Sequence, residues 1–336
     1  MRILIIRFSS MGDVILAAAL FSFLEKKYPD AECVLLTNSL YADLFKEDPR
    51  LSQVIAFERN NAHTIFSDLA AQAWDYCIDL QNNRRSRRYI KRYLPGVDTG
   101  TFNKLHGRRL LLLFLRINTY AQQSSVAGRY IQTAMHPGHT DVQDIPPVKL
   151  YFNDTTIYEK QLTAHGGDPA KPTIALFPFC AWRNKQWPLS RYVSVGKCFR
   201  DKKWHVVLFG GPNDVARAAV LKNEIGGSAI SLAGTLSLYE IGCFLKRCTL
   251  ALGGDTGLSH LARACGVKTG IVYGATTRHF GFFPYGEPPF MVFQSNQLCR
   301  PCHAHGGHFC WRFSRPCLKN ISVDMVINGL NNLIKR

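Results

Sequence analysis

The sequence lacks any apolar run long enough to cross a lipid bilayer. A transmembrane helix needs about 20 consecutive apolar residues, and the stretch at residues 110–115 is far shorter. The N-terminal segment resembles a secretory signal only superficially, because Gly12 and Asp13 interrupt it, no cleavage site of small residues follows, and residues 3–6 fit a buried strand better. We therefore expect a cytoplasmic protein whose only contact with a membrane is peripheral.

Acidic residues are also few. The 336 residues include 24 Asp and Glu against 41 Lys and Arg, which gives a formal net charge of +17. Such an excess predicts a polyanionic neighbour, which is nucleic acid, an acidic membrane surface or a phosphorylated substrate. No recognised nucleic-acid-binding motif is present, so the sequence favours no nucleic acid among its partners. A polyanion-binding protein remains a rival interpretation, and it predicts affinity for RNA or DNA that falls steeply with salt.

Internal repeats and low-complexity tracts are absent, and the pattern is that of a packed protein with two halves. Hydrophobic residues make up 46% of the chain, enough to bury sizeable cores, and 336 residues exceed the usual size of a single core. Short β-branched runs alternate with helical segments in both halves, which is typical of a parallel sheet covered on both faces. Prolines and glycines punctuate residues 136–171, which we interpret as a linker.

We therefore predict an α/β fold of two Rossmann-like, doubly wound domains, with a ligand cleft between them at the carboxyl ends of their strands. The domains span residues 1–155 and 156–318, followed by a C-terminal segment, residues 319–336. Strands are predicted at residues 2–6, 33–36, 53–57, 76–80, 173–177, 205–209, around 250 and at 270–273. Helices are predicted at residues 13–27, 41–46, 63–72, 86–93, 108–116, 128–135, 190–200, 214–224, from 258 onward and at 323–334.

The first predicted strand leads into the turn FSSMGD, residues 8–13, ahead of a helix. Ser9 and Ser10 can cap that helix, and Gly12 permits close approach of the backbone. Asp13 lies in the first helical turn, where the macrodipole stabilises a carboxylate, and it is well placed as a general base. The alternative is that Asp13 only caps the helix.

A second succession of strand, turn and helix start occurs in LALGGDTGLSH, residues 250–260. Backbone N–H groups of Thr256, Gly257 and Leu258, with the Thr256 hydroxyl, can grip a diphosphate without a Walker-type lysine or a metal. We expect Asp255 to orient this loop by accepting N–H bonds. His260, one turn later, either contacts the ligand or is a core histidine.

Two other turns of the second half carry polar groups. Lys185 follows the strand that ends at residue 177, where it can neutralise a leaving diphosphate. Asp214 follows a further strand, in the turn FGGPND, and its carboxylate can accept hydrogen bonds from ribose hydroxyls. Both residues are therefore candidates for binding a nucleotide.

Taken together, RFSSMGD, K-x-WP, FGGPND and GGDTGLSHLA followed by VYGAT resemble glycosyltransferase family 9, the bacterial lipopolysaccharide heptosyltransferases. The likeness runs nearly end to end. It implies a GT-B fold with the acceptor in the N-terminal domain, ADP-heptose in the C-terminal domain, and a C-terminal helix that packs back on the N-terminal domain. It also implies inverting transfer, without a metal, to the lipopolysaccharide inner core or a related anionic glycan.

The resemblance further implies roles for individual residues. Asp13 is the general base that deprotonates the acceptor hydroxyl, and Lys185 holds the departing diphosphate together with the amides of residues 256–258. Asp214 matches the acid that binds the donor ribose, and His260 matches a histidine of the nucleotide pocket. These roles suit an in-line attack, which needs a base on one side and charge compensation on the other.

A basic run follows the strand at residues 76–80 and contains Arg84, Arg85, Arg87, Arg88, Lys91 and Arg92. By default such a run is the solvated face of a helix. Guanidinium groups also bind phosphate and carboxylate bidentately, and the run lies in the half expected to receive the acceptor. We therefore predict that the first four arginines bind an anionic glycolipid together with Ser9, Ser10 and Gly12, and that an inner-leaflet membrane surface is a further partner.

The chain has 11 cysteines, which in a reducing compartment are buried or bind metal more often than they form disulfides. Cys299, Cys302, Cys310 and Cys317 fall in one C-terminal segment, and a C-x2-C pair followed by two more cysteines suits tetrahedral zinc. Free or redox-paired thiols fit this segment equally well. We expect no cofactor for catalysis. A zinc ion bound here would have a structural role, holding the loop together.

One rival interpretation shares the same architecture. A different sugar-nucleotide enzyme, such as an epimerase, needs no acceptor. The base at Asp13 and the arginine-rich face argue against it, because both are expected to serve an acceptor.

Overall fold

The computed structural model describes residues 1–120, 125–135 and 145–335, and the chain divides into two compact units. Unit 1 comprises Met1–His106 and Tyr120–Tyr151, and unit 2 comprises Gly107–Thr119 and Phe152–Arg336. Residues 136–144 of the expected linker lie outside the described residues. The short segment Gly107–Thr119, which the sequence placed in the N-terminal domain, belongs by its contacts to unit 2.

Unit 1 is built on a five-stranded parallel sheet with strand order β3-β2-β1-β4-β5. The strands are β1 (Arg2–Ile6), β2 (Glu32–Asn38), β3 (Gln53–Phe57), β4 (Tyr76–Asp79) and β5 (Thr99–Thr101). The sequence RILII of β1 is almost entirely buried, which suits the central position of this strand. Because the strands are parallel, the turns that follow β1 and β4 meet at the same edge of the sheet.

The helices of unit 1 cover this sheet. They are α1 (Met11–Leu16), α2 (Ala18–Lys27), α3 (Ser39–Ala42), α4 (Ala62–Ala70), α5 (Arg84–Tyr93) and α7 (Val126–Thr133), and α6 (His106–Leu110) leads into unit 2. The helix expected at residues 13–27 is two helices, with a break at Ala17. The apolar sides of α4 and α5 pack together, with the rings of Phe66 and Tyr89 stacked at 4.4 Å.

Unit 2 is built on a six-stranded parallel sheet with strand order β11-β10-β9-β6-β7-β8. The strands are β6 (Thr173–Phe177), β7 (His205–Leu208), β8 (Ile230–Ser231), β9 (Leu250–Gly254), β10 (Lys268–Tyr273) and β11 (Phe290–Gln294). Its helices are α8 (Thr156–Ala164), α9 (Leu189–Asp201), α10 (Val215–Ile225), α11 (Leu238–Leu245), α12 (Gly257–Ala264), α13 (Pro316–Lys319) and α14 (Val323–Lys335). Strand β9, the centre of this sheet, leads directly to the start of α12.

The family resemblance implies that the last helix, α14, packs back on the N-terminal domain. In the structure its buried residues Val326, Leu330 and Leu333 join the apolar core of unit 2. Close approach to β10 and β11 is allowed by small residues, since a Cβ on Gly270 would lie 2.7 Å from the Leu330 side chain. A Cβ on Gly329 would lie 2.4 Å from the ring of Phe293. Helix α14 therefore covers β10 and β11 of the second sheet.

The prediction of two Rossmann-like domains is confirmed, and most strands lie where the sequence placed them. Three edge-side strands were missed, β5, β8 and β11, and the first two have only three and two residues. Helix α8 was missed because it lies in the expected linker, and α11 because six of its eight residues are buried, which hides a helical period. Within the described residues, no helix is long and apolar enough to span a membrane.

Candidate active site

In unit 1, three side chains contact the carboxylate of Asp13 in the first turn of α1. The Arg7 Nη2 atom lies 2.7 Å from Asp13 Oδ1, and the Tyr130 hydroxyl donates to the same oxygen at 3.2 Å. Ser10 donates to Asp13 Oδ2 through its hydroxyl at 2.7 Å and through its backbone N–H at 3.2 Å. Asp13 therefore accepts hydrogen bonds at the start of its helix and is also ion-paired with Arg7.

The electrostatics of this group keep Asp13 ionised. Burial opposes ionisation, but the nearby Arg7 charge and the two hydrogen bonds from Ser10 outweigh it, so the pKa of Asp13 lies below its ordinary value of 3.8. Burial raises the pKa of Tyr130, so its hydroxyl stays protonated and acts as a donor. Because 15% of the Asp13 side chain is exposed, the carboxylate is accessible to a ligand hydroxyl whose proton it can accept.

Residues at the end of β4 support the same turn. The Gln81 Oε1 atom accepts hydrogen bonds from the backbone N–H groups of Phe8 at 3.0 Å and Ser9 at 3.2 Å. Asp79, which is fully buried, in turn accepts the Gln81 N–H at 3.0 Å and the Ser86 hydroxyl at 2.7 Å. Asp79 thereby ties the start of α5 to the edge of the sheet at which Asp13 lies.

Helix α5 carries the predicted basic run. Arg84, Arg87 and Arg88 are exposed, as are Lys91 and Arg92, and their spacing of three and four residues puts these five on one helical face. The opposite face, with Tyr89 and Tyr93, packs on the apolar core of unit 1. Within the residues that the structure describes, Arg84, Arg85, Arg87 and Arg88 have no ion pair with a carboxylate. The face therefore presents uncompensated positive charge to solvent.

In unit 2 the predicted residues after β9 form a second polar group around Asp255. The Lys185 ammonium lies 2.7 Å from Asp255 Oδ2 and donates to the Asp255 backbone carbonyl at 3.0 Å. The Thr276 hydroxyl donates to Asp255 Oδ2 at 2.9 Å, and the His260 Nε2 atom lies 3.9 Å from Oδ1. The structure thus brings Lys185, Asp255 and His260 together. It corrects the expectation for Asp255, whose carboxylate is held by side chains where backbone N–H groups were predicted.

The charge on Asp255 is fixed by the same contacts. Burial opposes ionisation, but Lys185 and then His260 outweigh it, so the pKa of Asp255 lies below its ordinary value of 3.8. An ammonium group has three N–H donors, and two of those of Lys185 are directed at Asp255. The third is available to an anionic ligand.

Helix α12 begins without a side-chain cap. Thr256 occupies the N-cap position, but its hydroxyl makes no capping bond and is buried without a hydrogen-bond partner among the described atoms. A helix start has backbone N–H groups with no partner inside the helix, and it favours negative charge. Together with the hydroxyl of Thr256, the amides of Gly257 and Leu258 can therefore bind a phosphate group.

Small residues shape the strand that leads to this helix. A Cβ on Gly253 would lie 2.5 Å from the Ser259 Oγ atom, and one on Gly254 would lie 3.0 Å from the Cys180 Sγ atom. Burial raises the pKa of Cys180 to about 12, so this thiol stays protonated. Cys180 therefore packs as an uncharged thiol against Gly254 at the end of β9.

Asp214 lies at the end of the short 3-10 helix Pro212–Asp214 that follows β7. Its Oδ2 atom accepts the backbone N–H of Gly211 at 3.0 Å, and its Oδ1 atom lies 3.4 Å from Arg217 Nη1. Arg217 also donates to Gln186 Oε1 at 3.0 Å. The carboxylate is 22% exposed, so it keeps lone pairs that a sugar hydroxyl can reach.

The four cysteines predicted to bind zinc are not assembled as ligands. Among the described residues, which include all four, no group of three or more His, Cys, Asp or Glu side chains is arranged to hold a metal ion. Cys317 is buried in the apolar core beside Leu318, and burial raises the pKa of its thiol to about 11. Cys299, Cys302 and Cys310 are half-buried thiols without a disulfide. Cys317 still lies close enough to the other three cysteines for their charges to affect the pKa of its thiol, and zinc binding by the four stays a prediction.

The sequence did not assign roles to several residues of both groups. Arg7, Gln81 and Asp79 end or directly follow buried strands, so the rule that singled out Asp13 and Asp255 could have found them. No local signal points to Tyr130, which reaches Asp13 from 117 residues away. Likewise, Thr276 approaches Asp255 from another turn of the chain. Arg217 is only three residues from Asp214, so a local pattern could have found that pair.

Comparison with known proteins gives consistent results. The sequence model for glycosyltransferase family 9 (heptosyltransferase) matches residues 62–308. The lipooligosaccharide heptosyltransferase 2 of Haemophilus influenzae is 26% identical over 301 residues, covering 83% of this chain and 85% of that protein. The structure of Escherichia coli ADP-heptose lipopolysaccharide heptosyltransferase II superposes with a TM-score of 0.78 at 20% identity, covering 100% of this chain and 99% of the other.

A second solved structure supports the same fold. The family 9 glycosyltransferase of Veillonella parvula superposes with a TM-score of 0.77 at 19% identity, covering 99% of this chain and 97% of that one. At such identities the likeness shows that the fold is shared, and the match to the family model covers most of the chain.

Proposed function

The chain belongs to glycosyltransferase family 9 (heptosyltransferase), and from this we propose that it transfers heptose from ADP-heptose to the lipopolysaccharide inner core or a related anionic glycan. The reaction inverts the configuration at the anomeric carbon and needs no metal ion. The observation that carries this proposal is the ionised Asp13 carboxylate, held by Arg7, Ser10 and Tyr130.

Asp13 acts as the general base. As the acceptor oxygen attacks the anomeric carbon, the bond from that carbon to the diphosphate oxygen breaks and the acceptor proton passes to Asp13. Arg7 and Ser10 hold the carboxylate in one orientation, and Tyr130, whose hydroxyl stays protonated, donates to it. These contacts support a fixed, ionised base at neutral pH.

The departing ADP is held in unit 2. The uncapped start of α12, with the hydroxyl of Thr256 and the amides of Gly257 and Leu258, binds the diphosphate, and Lys185 contributes its third N–H donor. Asp255 fixes Lys185 in place. Charge compensation by fixed N–H donors replaces a metal ion in this scheme.

The remaining nucleotide contacts follow from the neighbouring turns. Asp214 accepts hydrogen bonds from the donor ribose through its exposed carboxylate oxygens. His260 lies one turn into α12 and close to Asp255, where it contributes to the nucleotide pocket. Both groups belong to unit 2, which supports binding of the donor there.

The acceptor is held in unit 1. The backbone and hydroxyls of Ser9 and Ser10, with Gly12, line the turn around the base, and the arginine face of α5 pairs with phosphate and carboxylate groups of the glycolipid. Asp79 and Gln81 tie the turn and the helix to the same sheet edge. A glycolipid acceptor also implies that the enzyme works at the cytoplasmic face of the inner membrane.

A transfer assay tests the proposal. The purified chain is incubated with ADP-heptose and an inner-core acceptor that lacks heptose, and mass spectrometry should find the acceptor heavier by one heptose. The product should have the anomeric configuration opposite to the donor, and a chelator should leave the rate unchanged. ADP-heptose should raise the melting temperature more than GDP- or UDP-sugars do, because a tight ligand stabilises by mass action.

Two outcomes would contradict the proposal. Failure to glycosylate any acceptor while the donor binds would remove the transfer reaction. A change in the stereochemistry of the donor sugar without an acceptor would identify the chain as an epimerase instead.

A further inference from the structure

Unit 2 exposes a row of large apolar side chains just after α6. The π-helical turn Leu111–Leu115 follows α6, and the exposed fractions are 54% for Leu110, 77% for Phe114, 62% for Leu115 and 52% for Ile117. Leu112 is the buried member of this turn and anchors it. A single exposed leucine is ordinary, but a contiguous group of this kind marks an interaction surface.

A second exposed apolar group lies in the cysteine-containing segment. Its exposed fractions are 96% for Leu298, 72% for Phe309, 59% for Trp311 and 82% for Phe313. The segment is held to the rest of unit 2, since the Asn184 N–H donates to the Gly307 carbonyl at 2.9 Å. These apolar side chains are therefore presented by a tethered loop.

Hydrogen bonds join the two groups into one surface. Arg116 donates to the carbonyl of Pro301 and, at 3.4 Å, to the carbonyl of Cys299. The Arg109 Nη1 atom lies 3.3 Å from the His305 Nε2 atom. We call the surface formed by residues 108–117 and 298–313 the apolar–basic surface.

The charge of this surface has one sign. No Asp or Glu occurs between Asp98 and Asp141, or between Glu287 and Asp324. Arg108 and Arg312 are exposed on the surface itself. The surface therefore suits an acidic partner that also accommodates aromatic and aliphatic side chains.

We propose that the apolar–basic surface docks on a bilayer that contains anionic phospholipids. Trp and Phe side chains with flanking arginines are typical of segments that lie in the interface between water and lipid. Phe114, Leu115 and Trp311 enter the headgroup region, and Arg108 and Arg312 pair with lipid phosphates. The inference deepens the proposed function, on which it rests for the membrane-borne acceptor.

Vesicle binding without any substrate tests the inference. Wild-type protein should sediment with phosphatidylcholine vesicles that contain phosphatidylglycerol, and far less with phosphatidylcholine alone. Phe114→Ser/Leu115→Ser should weaken the binding roughly tenfold or more, because two large apolar side chains are lost from the lipid contact. Arg108→Gln/Arg312→Gln should reduce the preference for anionic vesicles.

A matched control uses exposed apolar residues elsewhere. Leu40 and Val220 are 64% and 55% exposed and lie on α3 and α10, so Leu40→Ser/Val220→Ser should bind vesicles like the wild type. Trp311 also provides a spectroscopic readout, because its fluorescence should shift to shorter wavelength on anionic vesicles and Trp311→Phe should lose that shift. Equal melting temperatures exclude misfolding as the cause of lost binding.

Two results would overturn the inference. One is undiminished vesicle binding by Phe114→Ser/Leu115→Ser, and the other is a wild-type dimer that this variant dissociates while vesicle binding is unchanged. Transfer to a short, lipid-free acceptor is measured in parallel and should be unaffected by the variant. If wild-type transfer itself fails, the proposed function fails while the vesicle result still decides the docking surface.

Discussion

Both units have the same local arrangement at the end of a central strand, but the aspartate contacts different groups in each. In both units a central strand is followed by a short turn and a helix start with glycine and aspartate beside it, and in both the aspartate is ion-paired and ionised. In unit 1, Asp13 turns back on its own helix start and accepts the N–H of Ser10. In unit 2, Asp255 turns toward Lys185 and leaves the start of α12 without a side-chain cap.

This difference shows that the position of one carboxylate determines whether a helix start can accept a proton or bind an anion. Where the carboxylate occupies the start, the site presents negative charge and can accept a proton. Where the carboxylate is held aside, the backbone N–H groups remain for an anion. The following predictions either break this distinction or sharpen it.

The largest effect is expected for Asp13→Asn. The amide keeps the shape of the side chain but cannot serve as a base, so kcat should fall by roughly 10³-fold. The affinity for ADP, measured by calorimetry, should be unchanged because the nucleotide contacts lie in unit 2. Ordinary turnover by this variant would remove the role that we assign to Asp13.

The next largest effect is expected for Lys185→Met. The leaving diphosphate loses a donor, so kcat should fall by about 10²-fold or more. The variant also removes the ammonium partner of the buried Asp255, which keeps Thr276 and His260 beside its carboxylate. This loss should cost about 3 kcal/mol of the free energy of unfolding. Chemical denaturation measures the second effect separately.

A double variant separates the two consequences of losing Lys185. Lys185→Met/Asp255→Asn also removes the buried negative charge, so it should recover most of the stability but none of the activity. Recovery of both would mean that Lys185 serves only to neutralise Asp255.

A smaller effect concerns the pH dependence of the base. The pKa of Asp13 is lowered in the folded protein, so its ion pair stabilises the fold above pH ~4 and this contribution is lost as the pH falls through the lowered pKa. Arg7→Met removes the main charge that opposes the effect of burial, so the pKa of Asp13 should rise. The acid limb of kcat/KM should then move upward by about one pH unit or more.

The control for this prediction is Arg7→Lys, which keeps the positive charge. Its acid limb should stay close to that of the wild type, although its rate falls because Lys cannot reproduce the geometry of the guanidinium. An unchanged acid limb in Arg7→Met would show that Arg7 has no influence on the titration of Asp13.

Much of the fold could be read from the sequence because apolar runs such as RILII and TIALF are buried on both faces and are bounded by turns. The sequence could not predict which side chains that are far apart in the chain contact each other. Tyr130 and Asp13 are 117 residues apart, and Lys185 and Asp255 are 70 apart. Lys185 and Asp255 meet because a parallel sheet gathers the carboxyl ends of its strands at one edge. Tyr130 reaches Asp13 from helix α7, and no local pattern specifies either pair.

The cysteine segment gives a second example of what a local sequence pattern cannot predict. Its spacing alone predicted a metal site, but the position of each cysteine depends on its neighbours. Pro316 and Leu318 flank Cys317 in α13, and the packing of that helix carries the thiol into the apolar core. A spacing pattern cannot reveal such packing. Cys302 and Cys317 both lie close enough to other cysteines of the segment for their charges to interact, while no group of three or more ligand side chains among the described residues is arranged to hold a metal ion. Zinc binding by this segment therefore stays a prediction.

The smallest and sharpest effect is expected for Thr256→Val, which replaces a hydroxyl by a methyl group of the same shape. The Thr256 hydroxyl is buried and has no hydrogen-bond partner among the described atoms, so its removal should leave the free energy of unfolding unchanged or slightly raise it. Binding of ADP should weaken by roughly tenfold, because one donor to the diphosphate is lost. Lower stability with unaltered ADP affinity would make Thr256 a structural cap and would erase the contrast between the two helix starts.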